Sequence, residues 1–226
     1  SLGFTAQGEY VAANEIVSKY EKGEAYGMKA YGGAKKEWFE QIDALREVAK
    51  GKSLEEVKAL VAKDYKGNEE VVNAGCTIYV ADFVKVLEKA IENAKESEAK
   101  SGNTLKIGMV ATQTGCKNAT ADADGENRID TSFTVAVLDG DKTVCAYSDG
   151  LQAKISFNVK GEDTTKHGEI TTKRAAGDNY GMAKYGQDLN GDGEVKEWYA
   201  QADAFDAALV GKDAAAVAKL VTDKGY

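Results

Sequence analysis

Histidine is almost missing from this chain: His167 is the only one in 226 residues, and it lies in a polar, turn-like stretch. A Ser–His or Cys–His pair therefore has no evident base, and nucleophilic catalysis of that type finds no support. Cysteine is scarce too. Cys76, Cys116 and Cys145 are widely spaced and form no C-x-x-C, which argues against a zinc site. Two readings of the thiols stay open. Cys116 and Cys145 both fall in a β-rich middle and can pair in an exported protein, leaving an odd thiol. Equally, all three can be buried reduced side chains acting as small hydrophobes. No apolar run approaches the ~20 residues of a membrane helix, so no membrane span is expected. No glycine-rich phosphate loop follows a strand. Basic charge is the minority, 29 Lys and Arg against 37 Asp and Glu, for a net charge of -8 without a basic stripe. That argues against a nucleic-acid partner. It fits a soluble protein kept apart from its neighbours by like charge. Proline is absent altogether, and nothing in the pattern accounts for it.

What the chain has instead is a stretch used twice. Copy one runs Tyr26-Gly27-Met28, Tyr31-Gly32, Lys36-Glu37-Trp38, Gln41, Asp43-Ala44, Gly51-Lys52 and Val57. Copy two runs Tyr180-Gly181-Met182, Tyr185-Gly186, Lys196-Glu197-Trp198, Gln201, Asp203-Ala204, Gly211-Lys212 and Val217. The same residues in the same order mark an internal duplication. Each Tyr-Gly-Met leads into an amphipathic helix, over 36–50 with Trp38, Ile42, Leu45 and Val48 on one face, and over 196–210 with Trp198, Ala202, Phe205 and Leu209. Gly51 and Gly211 stand where a left-handed terminating residue is wanted. Ser53-Leu54-Glu55-Glu56 then reads as a capping box opening a second helix, and Asp213 as the plain N-cap of its counterpart. The repeated Trp, Tyr and Met set is either an aromatic ligand pocket or the packing of two helices on a sheet. Packing is the reading preferred here, with Trp38, Trp198, Met28 and Met182 largely buried in equivalent settings.

In chain order, residues 1–23 read as a hairpin turning at Gln7-Gly8 and returning through Glu15 to Lys19, and the pattern recurs over 154–173. Gly67-Asn68 is a turn, Cys76 to Val80 is extended, and Asp82 caps a helix bearing Phe83, Val84, Leu87 and Ile91. Glu96 to Gly102 is the linker. It separates an N-terminal half, 1–99, from a C-terminal half, 100–226, unless the two make one continuous fold. Residues 105–160 alternate as β, with a hairpin turn at Asp139-Gly140-Asp141. The fold class is α+β, an antiparallel sheet over 105–175 with the duplicated helix pairs packed against it. No signal peptide is visible ahead of the strand-like start, and the chain reads as a processed or trimmed piece of a longer polypeptide.

The motif Gly23-Glu24-Ala25-Tyr26-Gly27-Met28 and its twin Gly177-Asp178-Asn179-Tyr180-Gly181-Met182 are each followed by Lys-Glu-Trp-x-x-Gln and Gly-Lys. With Ala74 to Ile78, Ile107-Gly108 and Ala119 to Asp122, they resemble an uncharacterised repeat family of secreted proteins and lipoproteins of anaerobic Gram-positive bacteria. Some members also carry an FMN-binding domain. The resemblance covers most of the chain. It implies an extracellular or cell-envelope location and no known activity. The flavin-attachment sequence of such domains is missing, since Gln113-Thr114-Gly115-Cys116 does not match it.

The copies differ most where copy two inserts Asp188-Leu189-Asn190-Gly191-Asp192-Gly193 ahead of Glu194-Val195-Lys196-Glu197. Asp-x-Asn-x-Asp-Gly running into a helix is the first half of an EF-hand or dockerin loop. Side chains of Asp188, Asn190 and Asp192 and the Glu194 carbonyl can converge on one Ca²⁺, with Glu197 or water completing the shell. Tyr199 stands where the bidentate acid belongs, so a structural ion of weak affinity is expected. A solvated loop is the alternative. A second patch, Asp122 to Glu126, reads as a β-turn. Glu37 and Glu197 read as exposed or lysine-paired rather than as an acid–base couple. The function expected is a non-enzymatic extracellular or envelope repeat module. It would bind an extracellular ligand or protein, or serve as structure, with Ca²⁺ as a candidate stabiliser. The alternative is an accessory part of a larger flavin-linked or other envelope enzyme.

Overall fold

The structure is a computed structural model that describes residues 2–13, 15–94, 96–186, 188 and 193–221. The chain divides into two units. One is Val17–Glu96; the other joins Ser1–Ile16 to Ser97–Tyr226. The first is helical and the second holds an antiparallel sheet, so the protein is α+β.

In the unit Val17–Glu96, local capping chemistry sets most element starts. Ser18 accepts from the Glu21 N–H while the Glu21 carboxylate takes the Ser18 N–H, and this box opens α1, Lys19–Lys22. The strand expected through Glu15 to Lys19 is therefore replaced by a helix start. A 3₁₀ turn, Gly23–Tyr26, ends at Gly27, whose φ of 76° is left-handed. Then come α2, Met28–Gly32, and α3, Trp38–Ala49. The Ser53–Glu56 box opens α4, Leu54–Lys58, as its sequence predicts. Asn68 is more than a turn: its side chain accepts from the Val71 N–H and starts α5, Glu69–Asn73, a helix with no period long enough to read. Residues Cys76 to Val80 form no strand, and Val80 rather than Asp82 is the N-cap of α6, Ala81–Glu92. The core is Leu45, Val57, Leu60, Val71, Cys76, Val80 and Val84, each at most 2% exposed. Here copy one's helices pack on α5 and α6, not on a sheet. Burial pushes the Cys76 thiol pKa up.

In the other unit, β1, Thr104–Gln113, β2, Gly125–Asp139, and β3, Lys142–Phe157, pair antiparallel in the order β1-β2-β3. The Gly140 turn joins the last two, with φ of 60°. The sheet stops at Phe157, short of the expected 175, because Asn158 folds its carbonyl oxygen Oδ1 back onto the Lys160 and Glu162 N–H groups. Thr172 then caps α7, Lys173–Ala176, and a 3₁₀ turn, Gly177–Tyr180, leads to α8, Met182–Tyr185. Next are α9, Trp198–Leu209, and α10, Ala214–Ala218. These helices meet the sheet along the outer edge of β3. Thr143 exchanges backbone bonds with Gly211 and Lys212 (2.8 and 3.0 Å), Ser148 N–H reaches Asp206, and Arg174 donates to the Ser148 carbonyl. An edge strand left open would pair with other chains, and this cover closes it.

Residues 2–13 lie in the sheet unit because buried Asn127 holds them there. Its amide donates to the Gly3 and Val11 carbonyls at 2.8 and 3.2 Å, while Gln113 donates to both Val11 O and Asn127 Oδ1. The turn Phe4–Glu9 repeats the turn Phe157–Glu162 bond for bond. Thr5 and Asn158 each accept two backbone N–H groups through the side chain, and the Phe4 and Phe157 rings stack at 4.8 Å.

Candidate functional site

The element series from α1 to α4 recurs from α7 to α10, and so do its polar contacts. Glu37 accepts the N–H groups of Met28 and Lys29 at 2.8 and 3.1 Å; Glu197 accepts those of Met182 and Ala183 at 2.9 and 3.1 Å. Each carboxylate thus satisfies the first two orphan donors of a short helix. Neither is the exposed side chain expected, for Glu37 is buried and Glu197 half-buried. Gln41 and Gln201 each donate to the carbonyl five residues back and touch the methionine sulfur. Lys19 and Lys173 place their ammonium groups within 5.6 Å of a Tyr and a Trp ring centroid in each copy. The settings of Trp38 and Trp198 are therefore equivalent. Both rings are half-buried, as are Met28 and Met182, rather than largely buried.

Copy one differs in what stands beside this network. In Val17–Glu96 an open cleft of about 660 Å³ is lined by Lys19, Tyr26, Met28, Trp38, Tyr65, Ile78, Tyr79, Phe83 and Lys85, among others. Trp38 and Phe83 meet edge to face at 5.7 Å. Tyr65 and Tyr79 are 67% and 68% exposed. Among the described residues Tyr65 is the one non-glycine with left-handed backbone, φ 66°. That turn points its carbonyl at the Val80 and Ala81 N–H groups, at 2.9 and 3.3 Å, and so fixes the start of α6. Sequence reading gave the Trp and Met of this cleft. It missed Tyr65, Tyr79 and Phe83 as partners because they lie outside the repeated stretch.

Of the calcium ligands expected, Asn190 and Asp192 fall outside the described residues. Asp188 accepts the Gly193 N–H at 2.9 Å. Glu194 pairs with Lys196 at 3.7 Å. Glu197 performs the same backbone task as Glu37, in the copy that has no such loop. Among the described residues no three His, Cys, Asp or Glu side chains gather as a metal site. The patch from Asp122 to Glu126 starts in a turn, closed by mutual backbone bonds between Thr120 and Ala123, and runs into β2, where Glu126 pairs with Lys154 at 3.0 Å. His167 is exposed, 3.9 Å from Asp163. All three cysteines are free thiols, Cys76 buried and the others half-buried, so Cys116 and Cys145 are not paired. No helix among the described residues is long and apolar enough to cross a membrane.

A charged cluster that sequence reading did not single out joins α7 and α9 to β3. Arg174 binds Asp203 at 2.5 Å and buried Asp206 at 2.7 Å, and its guanidinium lies 4.6 Å from the Tyr147 ring centroid. Burial works against the charge on Arg174, and the two aspartates outweigh it and push its pKa up. The signal was present: aligned position 20 in copy one is Tyr20, whose hydroxyl binds Asp43, the aligned partner of Asp203. No protein-family model matches the chain, and no curated protein or solved structure matches it.

Proposed function

We propose that the protein is a non-enzymatic extracellular or cell-envelope repeat module whose binding surface is the aromatic cleft of Val17–Glu96. The observation that carries this is the pair of exposed tyrosines, Tyr65 and Tyr79, beside Trp38 and two lysines in an open cleft. Flat amphipathic rings with nearby donors suit the C–H faces and hydroxyls of sugar rings, so the ligand class proposed is the glycan strand of a cell wall. The repeated acids and amides support a non-catalytic reading, since they serve the backbone in both copies. The resemblance to secreted repeat proteins supports the location. Co-sedimentation with Gram-positive peptidoglycan sacculi tests the reading. The wild-type chain should pellet saturably, and Tyr65→Ala/Tyr79→Ala should cut the bound fraction at least fivefold with the melting temperature unchanged. Equal pelleting of the variant would sink it.

A Ca²⁺ ion on the loop from Asp188 to Glu194 belongs to the same reading as a structural element of copy two. Lacking the bidentate acid, the site should bind at the weak extracellular end, ~10⁻⁴–10⁻³ M. Millimolar Ca²⁺ should raise the melting midpoint relative to chelator in the wild-type chain and leave Asp188→Ala/Asp192→Ala unmoved. A midpoint that ignores Ca²⁺ removes the ion from the account.

A further inference from the structure

The helix pair has two sides, and the two units cover different ones. In Val17–Glu96 the covered side carries Leu45, Val57 and Leu60, at most 2% exposed, with Gln41 at 1%, beneath Val71, Cys76, Val80 and Val84 of the α5–α6 segment. In the other unit α9 instead buries Ala202, Asp206 and Leu209. The residues aligned with copy one's core lie open. Phe205, which aligns with Leu45, is 44% exposed, and Val221, which aligns with Val61, is 69% exposed. Gln201 is exposed, and Val217 and Leu220 are half-buried.

The polar anchors recur as well. In copy one the Thr77 N–H and hydroxyl both donate to Gln41 Oε1, at 2.8 and 3.1 Å. Lys36 donates to the Ala74 carbonyl at 3.1 Å, and Lys52 pairs with Glu70 at 3.0 Å. Copy two keeps all three partners as Gln201, Lys196 and Lys212. Gln201 is already held in the same pose by Lys196 O and Met182 Sδ, and its Oε1 carries no hydrogen bond among the described residues. A face that repeats its apolar residues, its acceptor and its two cations repeats the demand for the same cover.

We propose that this face of α9 and α10 is a docking surface for a second segment of the α5–α6 kind. Its occupant is an Asn-capped short helix with an acid in its first turn, a Cys-Thr turn offering a backbone donor, and an amphipathic helix with valines spaced as Val71, Val80 and Val84. Docking would also place an aromatic wall beside Trp198, Met182 and Lys173, and so build a second cleft. This inference does not depend on what the first cleft binds.

The probe is a synthetic peptide of residues 66–94, titrated into the full chain carrying Trp38→Phe so that emission reports Trp198. The expected result is a saturable change in Trp198 emission. Phe205→Asp in the chain, or Val84→Asp in the peptide, should each weaken the midpoint at least tenfold. Phe205 is part-exposed, so its replacement leaves the fold intact, and an unchanged melting temperature verifies this. No change up to millimolar peptide, or binding indifferent to Phe205→Asp, overturns the proposal. Gel filtration supplies the other arm. A concentration-dependent dimer that excess peptide does not dissociate makes a second copy, through some other segment, the occupant and also overturns it.

Discussion

Glu37 and Glu197 make the same two bonds in different surroundings, which makes them a natural measure of burial on one interaction. Glu37 is 2% exposed, and truncating it strands the Met28 and Lys29 N–H groups away from water. Glu197 is half-buried, and water can replace it more readily. Glu37→Ala should therefore cost about 3 kcal/mol and Glu197→Ala about 1 kcal/mol. Urea denaturation read at Trp38 and at Trp198, each in a single-Trp background, gives the two figures. Equal losses would mean that exposure does not govern these caps. The lysines over the paired rings follow the same logic, but solvent at those positions keeps their cation–π contribution small.

At the scale of elements, stability rests on capping boxes whose acids titrate. The Glu21, Glu40 and Glu56 carboxylates are all held below the ordinary value of 4.5, first by the backbone N–H each receives, from Ser18, Glu37 and Ser53. A depressed folded-state pKa contributes stability above the unfolded value that disappears as pH falls through the folded one. Helix content should accordingly hold from neutral pH to about 4.5 and decline below it. Glu56→Gln should flatten part of that decline in circular-dichroism melts between pH 6 and 3; an unchanged slope would remove the box from the explanation. The same local chemistry decides what was legible in the sequence. Helices α3 and α9 were readable because an apolar period ends at a left-handed glycine, Gly51 and Gly211, and α4 because the Ser53–Glu56 capping box opens it. The segment from Glu15 to Lys19 was misread because Ile16 and Val17 suggest a strand, whereas the Ser18–Glu21 box settles a helix one step later. Helix α5 has five residues and shows no period, although Asn68 followed by Glu69 and Glu70 was a usable start signal. Of the cleft, only the repeated residues were visible. Tyr65 and Tyr79 come to line the same cleft as Trp38 through a tertiary turn that no spacing rule describes.

At the scale of the molecule, one buried amide holds a distant stretch of chain in place. Asn127 is fully buried, and its contacts to Gly3 and Val11 span 124 and 116 positions of sequence. An apolar isostere removes one of the two donors at each carbonyl and one acceptor of Gln113, while Val11 N–H still reaches Gly3 O and Gln113 still reaches Val11 O, so Asn127→Leu should cost about 1–3 kcal/mol. Hydrogen exchange should quicken at Val11 and Ala119 before it changes in α3. Uniform exchange across both units would contradict this. The arrangement also has a mechanical side. Residues 17–96 sit in the chain between Ser1–Ile16 and Ser97–Tyr226, which belong to one unit. Tension applied between the two ends of the chain then passes through the contacts at Asn127, Gln113 and the stacked Phe4–Phe157 pair. The helical unit, with its cleft, stays out of the load path until that junction gives way, so stretching the protein would leave the cleft intact up to a threshold force.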